Sequence, residues 1–495
     1  MGVVEALLEQ VSLKTTLIIL LVAYCIYSII CRIDEHRRIR RLGHYGPHMK
    51  TYAPWGLDIV ARFVASTVKH QNLATWRDDM FGALDSWTVE NRLLGIRTIF
   101  TADPANLKAI LATQFADYGK GKPFHAEWKD FLGDSIFTTD GAPWHASRQL
   151  IRPQFTRDRV SDLHCFEAHM QTLFKAIANR GPLHGEDQPV PTERLDGKVL
   201  DISDLFFRYT LDVATEFLLG WDVKSLTTPR QEFAEAFNDV QRIQNIIART
   251  GKLRHIIPKY KFWRGLETVN HFINFYIERA LRLSPEELNS KAKDDHSYTF
   301  LHALAGFTRD RKVLRDQIIA VLLAGRDTTA ATLSWALYEL GRHPKTVKRL
   351  RSEILSTLGN ERTPTYDDLK NGSEPLPVLK DSPVAYSTLV MQRRSDLYPP
   401  ISDTFADPQI FSPERWAHWH PKPHDYIPFN AGPRICIGQQ FALTEMSYVL
   451  CRLFQKFERV ESKMKDIDGG EPLLKADIVL SPGQGVNVAF WEAKK

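Results

Sequence analysis

The feature that most limits what this chain can become is a lone cysteine in the segment Phe429-Asn430-Ala431-Gly432-Pro433-Arg434-Ile435-Cys436-Ile437-Gly438-Gln439-Gln440. The segment is a Gly/Pro-containing loop that runs into an apolar helix from Phe441 to Phe454, so Cys436 stands where loop becomes helix. Amides of a first helical turn point at such a sulfur, and the helix dipole favours negative charge there. A thiolate is stabilised and its donor strength tuned. Gly432 permits a tight turn, Gly438 permits close approach of backbone to a flat ligand, and Arg434 offers a cation to a carboxylate.

These positions spell Phe-x-x-Gly-x-Arg-x-Cys-x-Gly, and here the chain resembles the cytochrome P-450 superfamily of haem-thiolate monooxygenases. The competing reading, a packed free cysteine at a helix start, is disfavoured because every fixed position agrees. The resemblance implies a mainly α fold with a small β component. It also implies that Cys436 is the axial ligand of a haem b iron, the only metal expected, where thiolate donation favours O–O cleavage.

Three further stretches carry the same likeness. The apolar run Ile318–Leu340 holds Ala324-Gly325-Arg326-Asp327-Thr328-Thr329 at its middle and resembles the family's oxygen-binding helix. Gly325 removes a side chain, and the Thr328 hydroxyl is placed to bond back to the Ala324 carbonyl, which is expected to loosen the ladder and open a groove. Asp327 beside Thr328 makes the acid–alcohol pair that such enzymes use to deliver protons. Trp144 and Arg148 lie four residues apart, on one helix face, and in the family this pair holds a haem propionate. Phe411-Ser412-Pro413-Glu414-Arg415-Trp416 resembles the segment that precedes the haem loop.

Residues 15 to 31 carry no charge and, extended toward Val11, approach the ~20 residues a bilayer needs. Arg32, Arg37, Arg38, Arg40 and Arg41 follow, so the positive-inside rule leaves the body cytosolic. The run is long and ends in Ile-Ile-Cys-Arg, unlike a cleaved signal. The chain thus divides into an anchor at 1–31, a basic Pro/Gly hinge at 32–55 and one catalytic domain at 56–495. Amphipathic patterns predict helices around 159–179, 201–219, 229–248 and 266–283, with strands at Leu93–Phe100 and Ile478–Phe490. The net charge of +5 comes largely from the basic run at 32–41 and gives no support to nucleic-acid binding.

Five cysteines without CxxC spacing argue against a disulfide framework or a zinc site, and a reducing compartment fits. His418, His420 and His424 cluster in a Pro/Trp loop and read as unligated.

One family element is missing. Between the oxygen-binding helix and Arg415 a Glu-x-x-Arg helix should clamp that arginine, yet the chain passes from Asp367-Asp368-Leu369-Lys370 through Asn371-Gly372 to Val384-Ala385-Tyr386. Helix and following strands look excised, an internal deletion near 370–372. Glu339–Arg342 and Glu35–Arg38 have the spelling but not the place. Losing one side of a buried charge network typically costs ~3–5 kcal/mol, so a haem-free, inactive membrane protein stands as the second reading. A haem-thiolate isomerase or dehydratase is a third, with less reason to keep Asp327 and Thr328.

The stretches Ala324–Trp335, Phe137–Trp144 and Arg152–Leu163 look like the fungal microsomal branch that hydroxylates alkanes and fatty acids. The likeness implies an apolar aliphatic or polyketide-derived substrate, O2, and an NADPH-dependent flavoprotein reductase at the endoplasmic reticulum membrane. Lys345, Lys348, Arg349 and Arg351 are candidate docking cations.

Overall fold

The computed structural model describes residues 13–42, 45–94, 96–155, 163–189, 191, 193–250, 254, 256–291, 298–360, 362–365 and 384–493. Its first element, helix α1 (Leu13–Leu42), contains the uncharged stretch and continues through the basic run. The helix thus runs through the first part of the segment read as a hinge, residues 32–42. Arg38 pairs with Asp34 one turn back, and Arg40 and Arg41 occupy the last turn, where the helix dipole favours cations. The large apolar side chains from Leu17 to Ile30 are all at least half exposed, and the span Thr15–Arg41 is long and apolar enough to cross a membrane.

The body is built on helices α2 (Leu57–Val68), α3 (Gly121–Leu132), α4 (Gly141–Ile151), α5 (His164–Asn179), α6 (Ile202–Leu219), α7 (Glu232–Thr250), α8 (Tyr260–Arg282), α9 (Phe300–Phe307), α10 (Arg311–Leu340), α11 (Pro344–Leu358) and α12 (Gln439–Lys456). The four amphipathic patterns correspond to α5 through α8; the start of the first, 159–162, lies outside the described residues.

Helix α10 is the axis. Asp310 caps it by accepting from the amides of Lys312 and Val313 at 2.8 and 3.2 Å. A helix apolar on nearly every side must be buried on every side. Its first half, Leu314 to Leu323, packs in a core shared with α3, α4 and α6 to α9. Its second half, Ala330 to Leu340, packs in another core with α5, α6, α11 and α12. Between the two lies the Ala324–Thr329 stretch.

The β component is small. Strands β1 (Thr88–Leu93) and β2 (Ile96–Thr101) form an antiparallel hairpin with Thr88 opposite Thr101. The single strand expected at Leu93–Phe100 is thus broken by a turn, where Leu94 adopts φ +50°. A short strand, β4 (Val384–Tyr386), adds in parallel to β2, and β3 (Val199–Asp201) pairs with β8 (Asn487–Glu492), which also pairs with β5 (Phe457–Ser462). The expected strand Ile478–Phe490 is likewise two: β7 (Leu480–Pro482), paired with β6 (Leu474–Ala476), and β8, separated by Gly483–Val486.

Leu322 is fully buried in the first core. Leu322→Ala is expected to lower unfolding free energy by about 2–5 kcal/mol, from lost transfer energy and the cavity left behind. A urea midpoint in detergent checks it; an unchanged midpoint would contradict the placement of α10.

Candidate active site

Two backbone hydrogen bonds shape the cysteine loop: the Cys436 amide donates to the Phe429 carbonyl and the Ile435 amide to the Gly432 carbonyl, both at 2.9 Å. Gly432 holds φ +67°, and a Cβ there would fall 1.7 Å from the Leu111 carbonyl oxygen, so no other residue lets this loop seat on the turn at Ala109–Thr113. Gly438 is different. It precedes the first turn of α12 at φ −91°, and a Cβ would meet only the Phe155 ring at 3.8 Å. A Cβ at Gly325 would meet nothing within 4 Å. The polypeptide itself demands neither glycine, and both leave room for a ligand.

Solvent reaches Cys436, yet surrounding protein atoms raise its thiol pKa, against the lowering effects of the Gly438 amide and the Arg148 charge. The sulfur is thus both accessible and crowded by its surroundings. Burial favours the neutral thiol, and a metal cation in the proton's place would reverse that preference.

Beside the sulfur stands a cluster of cations. Arg148 donates to the Ile435 carbonyl at 3.1 Å and lies 5.8 Å from the Trp144 ring. Arg434 lies over Trp144 at 4.9 Å and Phe115 at 5.4 Å, and donates to Asp140 at 2.6 Å. Its other terminal nitrogen, Nη1, is buried without a partner. Lys120 donates to the Ile136 carbonyl at 2.9 Å, and burial, helped by Arg434 and opposed by Asp140, lowers its pKa to about 7.

Lys120 and Arg434 thus share one carboxylate, Asp140, with the Arg148 charge close to Arg434 and one donor orphaned, so the group is short of anions. A flat ligand bearing carboxylates, ligated by the Cys436 thiolate, fits this deficit, and haem is such a ligand. Lys120 and Phe115 carry no motif, and Asp140, though inside the Phe137–Trp144 stretch, was assigned no role; only the fold brings them to Trp144, Arg148 and Arg434.

Helix α10 exposes one stripe at its middle. Thr328 and Thr332 are exposed and Ala324 and Gly325 half-buried, while the residues around them are buried. Thr328 Oγ1 donates to the Ala324 carbonyl at 2.6 Å, as expected from the sequence. The expected loosening is not seen: the α-helix runs unbroken from Arg311 to Leu340, because packing on its other faces outweighs one back-bond.

Asp327 sits on a different face. Its buried carboxylate is 3.4 Å from Arg326, and no hydrogen bond joins it to Thr328 among the described residues. Burial raises its pKa against the pull of Arg326 and Gln241. Behind Thr329, two residues on, lies Glu445 of α12, fully buried with its pKa pushed up to about 8. No sequence pattern singled out that acid.

Arg415 is buried, and among the described residues no carboxylate pairs with it. Its guanidinium donates instead to three carbonyls, of Ser412 (3.0 Å), Asp407 (3.1 Å) and Ile410 (2.7 Å), and lies 5.3 Å from the Tyr398 ring. The open charge network expected from the missing clamp is thus closed in part by backbone dipoles. Glu339 and Arg342 play no part in it: Glu339 lies 3.7 Å from His343, and Arg342 bonds to Tyr338 and Gly470. The junction at 370–372 falls outside the described residues.

A family model described as Cytochrome P450 matches residues 87–380 and 400–484. Among curated relatives, Cytochrome P450 monooxygenase pvhE of Talaromyces variabilis is 56% identical, covering 96% of this chain and 95% of its own. Cytochrome P450 52A13 of Debaryomyces hansenii is 36% identical (75% and 77% covered), and Cytochrome P450 52A1 of Candida tropicalis is 37% identical (82% and 80%). The alignment with pvhE runs over 518 residues, more than the 495 of this chain, so that relative carries residues with no counterpart here. A crystal structure of a cytochrome P450DA heme domain superposes with a TM-score of 0.67 at 18% identity, over 91% of this chain and 97% of that one, which bears on the fold alone.

The depressed pKa of Lys120 has a measurable sign. Below about pH 7 it is already charged and ready for a carboxylate; above that it must first take up a proton. Haem binding to the apoprotein should therefore weaken from about pH 7 to 9 relative to Lys120→Met, the ratio approaching about tenfold per pH unit. Proton loss from Cys436 acts the other way in both proteins and cancels in the comparison. Parallel pH profiles for the two would remove Lys120 from the site.

Proposed function

Because this chain belongs to the cytochrome P450 family of haem-thiolate monooxygenases, we propose that it inserts one oxygen atom from O2 into a C–H bond of an apolar, aliphatic substrate, a fatty acid, an alkane or a polyketide-type precursor. The observation that carries this reading is the accessible Thr328 in the middle of α10, flanked by buried residues, with the following Thr329 backing onto the helix that Cys436 precedes. Haem held by Cys436 supplies the activation of dioxygen.

The rest falls to the polypeptide. Lys120, Arg148 and Arg434 would hold the carboxylates, with Trp144 stacked beneath the cations. Gly325, Gly432 and Gly438 keep side chains out of the ligand's plane or seat the loop, and Phe429 accepts from the Cys436 amide. Thr328 spends its own proton on Ala324, so its oxygen is left to accept a hydrogen bond at the reacting edge. Asp327, with its raised pKa, is suited to carry a proton, and its orientation away from Thr328 means a water or a rotamer change completes the transfer.

Electrons reach the site from an NADPH-dependent flavoprotein reductase, for which Lys345, Lys348 and Arg349 are exposed on α11, with Arg351 half-buried beside them. With α1 in the endoplasmic reticulum membrane and the body cytosolic, apolar substrate partitions from the bilayer. The likeness to the fungal branch acting on alkanes and fatty acids supports the substrate class. The haem-free reading rested on an unmatched Arg415, and that arginine finds three carbonyl acceptors.

Thr328→Ala is expected to retain haem and consume NADPH at a similar rate while diverting electrons to peroxide, with product per NADPH falling about 10-fold or more. Fatty acids and alkanes presented with reductase in membranes are the test substrates. Unchanged coupling would contradict the role of Thr328, and no turnover with any aliphatic substrate by a haem-loaded wild type would contradict the substrate class.

A further inference from the structure

Helices α5 and α6 pack together, and each carries two metal-ligand side chains one turn apart: Cys165 and His169 on α5, Asp212 and Glu216 on α6. This arrangement lies outside the site described above. His169 Nε2 is 2.6 Å from Glu216 Oε2, and the Cys165 thiol also bonds to Glu216. The donor atoms of Cys165, His169 and Glu216 all lie within 4.8 Å of one another, and those of His169, Asp212 and Asp222 do too. His169 is buried, while Cys165, Glu216 and Asp222 are half-buried, so one side of the group is open to solvent.

Ligand atoms of a tetrahedral zinc site stand roughly 3.3–3.8 Å apart, which small side-chain movements reach from the present spacing. Asp212 is already fixed, accepting from the amides of Ser225 (2.8 Å) and Leu226 (3.0 Å), so it is placed to orient the imidazole rather than to ligate. Burial works against a charge on His169, and Glu216, Asp222 and Asp212 together outweigh it. The surroundings therefore attract a cation at this ring, and a proton is only one candidate.

We propose that Cys165, His169 and Glu216 bind a divalent metal ion of the zinc type, with water as fourth ligand on the open side and Asp212 and Asp222 as outer carboxylates. The mixed thiolate, imidazole and carboxylate set suits a borderline-soft ion and disfavours calcium or magnesium. Binding displaces the thiol proton and competes with protonation of the imidazole, so affinity rises with pH. The metal would staple α5 to α6, a structural role separate from the haem iron.

The test uses the full-length, haem-loaded protein in detergent and zinc alone as probe. After equilibration with zinc and gel filtration, elemental analysis should find one zinc per chain beside the iron, lost in Cys165→Ser. In the wild type, zinc should slow iodoacetamide labelling of Cys165 about tenfold, read by peptide mass spectrometry, and leave Cys451 unaffected. The labelling experiment stands even if the variant misfolds. Zinc that persists in Cys165→Ser, at Cys436 of haem-free chains or in the His418–His424 loop, overturns the assignment. So does labelling of Cys165 at the same rate with and without zinc.

Discussion

The packing of α10 between two cores is the constraint from which the rest follows. Leu314–Leu323 and Ala330–Leu340 fix the helix so firmly that its one accessible stripe, Ala324, Gly325, Thr328 and Thr332, has a defined direction. Packing of α12 against it, with Glu445 behind Thr329, then sets where the cysteine loop must lie. Gly432 does the same for the loop's other side, since only a residue without Cβ lets the Leu111 carbonyl approach. The site is held by packing on both flanks before any cofactor contributes.

Electrostatics supplies the second half of the argument. Lys120 and Arg434 gather around Asp140 with Arg148 beside Arg434, and neither the depressed pKa of Lys120 nor the orphaned Arg434 nitrogen makes sense in a finished protein surface. Both are explained if anionic groups complete the cluster. Arg415 presents the opposite case. There the expected carboxylate partner is missing from the sequence, and backbone carbonyls with the Tyr398 ring take its place. Carbonyl dipoles satisfy the donors without neutralising the charge, so the loop is retained with a weaker anchor than an ion pair gives.

What could be read directly were features carried by local pattern: the cysteine loop, the Thr328 back-bond, Trp144 and Arg148 on one face, and helices α5 to α8. Hairpin turns were not legible, because Leu94 at positive φ breaks a run that otherwise reads as one strand. Nor was the continuation of α1 through the arginines, which rests on Asp34–Arg38 pairing and terminal charge. Lys120, Asp140 and Glu445 acquire meaning only from neighbours far away in sequence, and the direction of Asp327 only from what packs beside it. The absence of Glu-x-x-Arg was visible at once, but its consequence depended on acceptors that only the fold reveals.

The central claim is that this chain, without that helix, still holds haem through the Cys436 thiolate. The carbon-monoxide difference spectrum of the reduced protein in membranes tests it most directly. The account predicts the red-shifted Soret band of thiolate-ligated ferrous haem, abolished by Cys436→Ala. Absence of the band from well-expressed, folded wild type, or a band at the shorter wavelength of a neutral axial ligand, would contradict it.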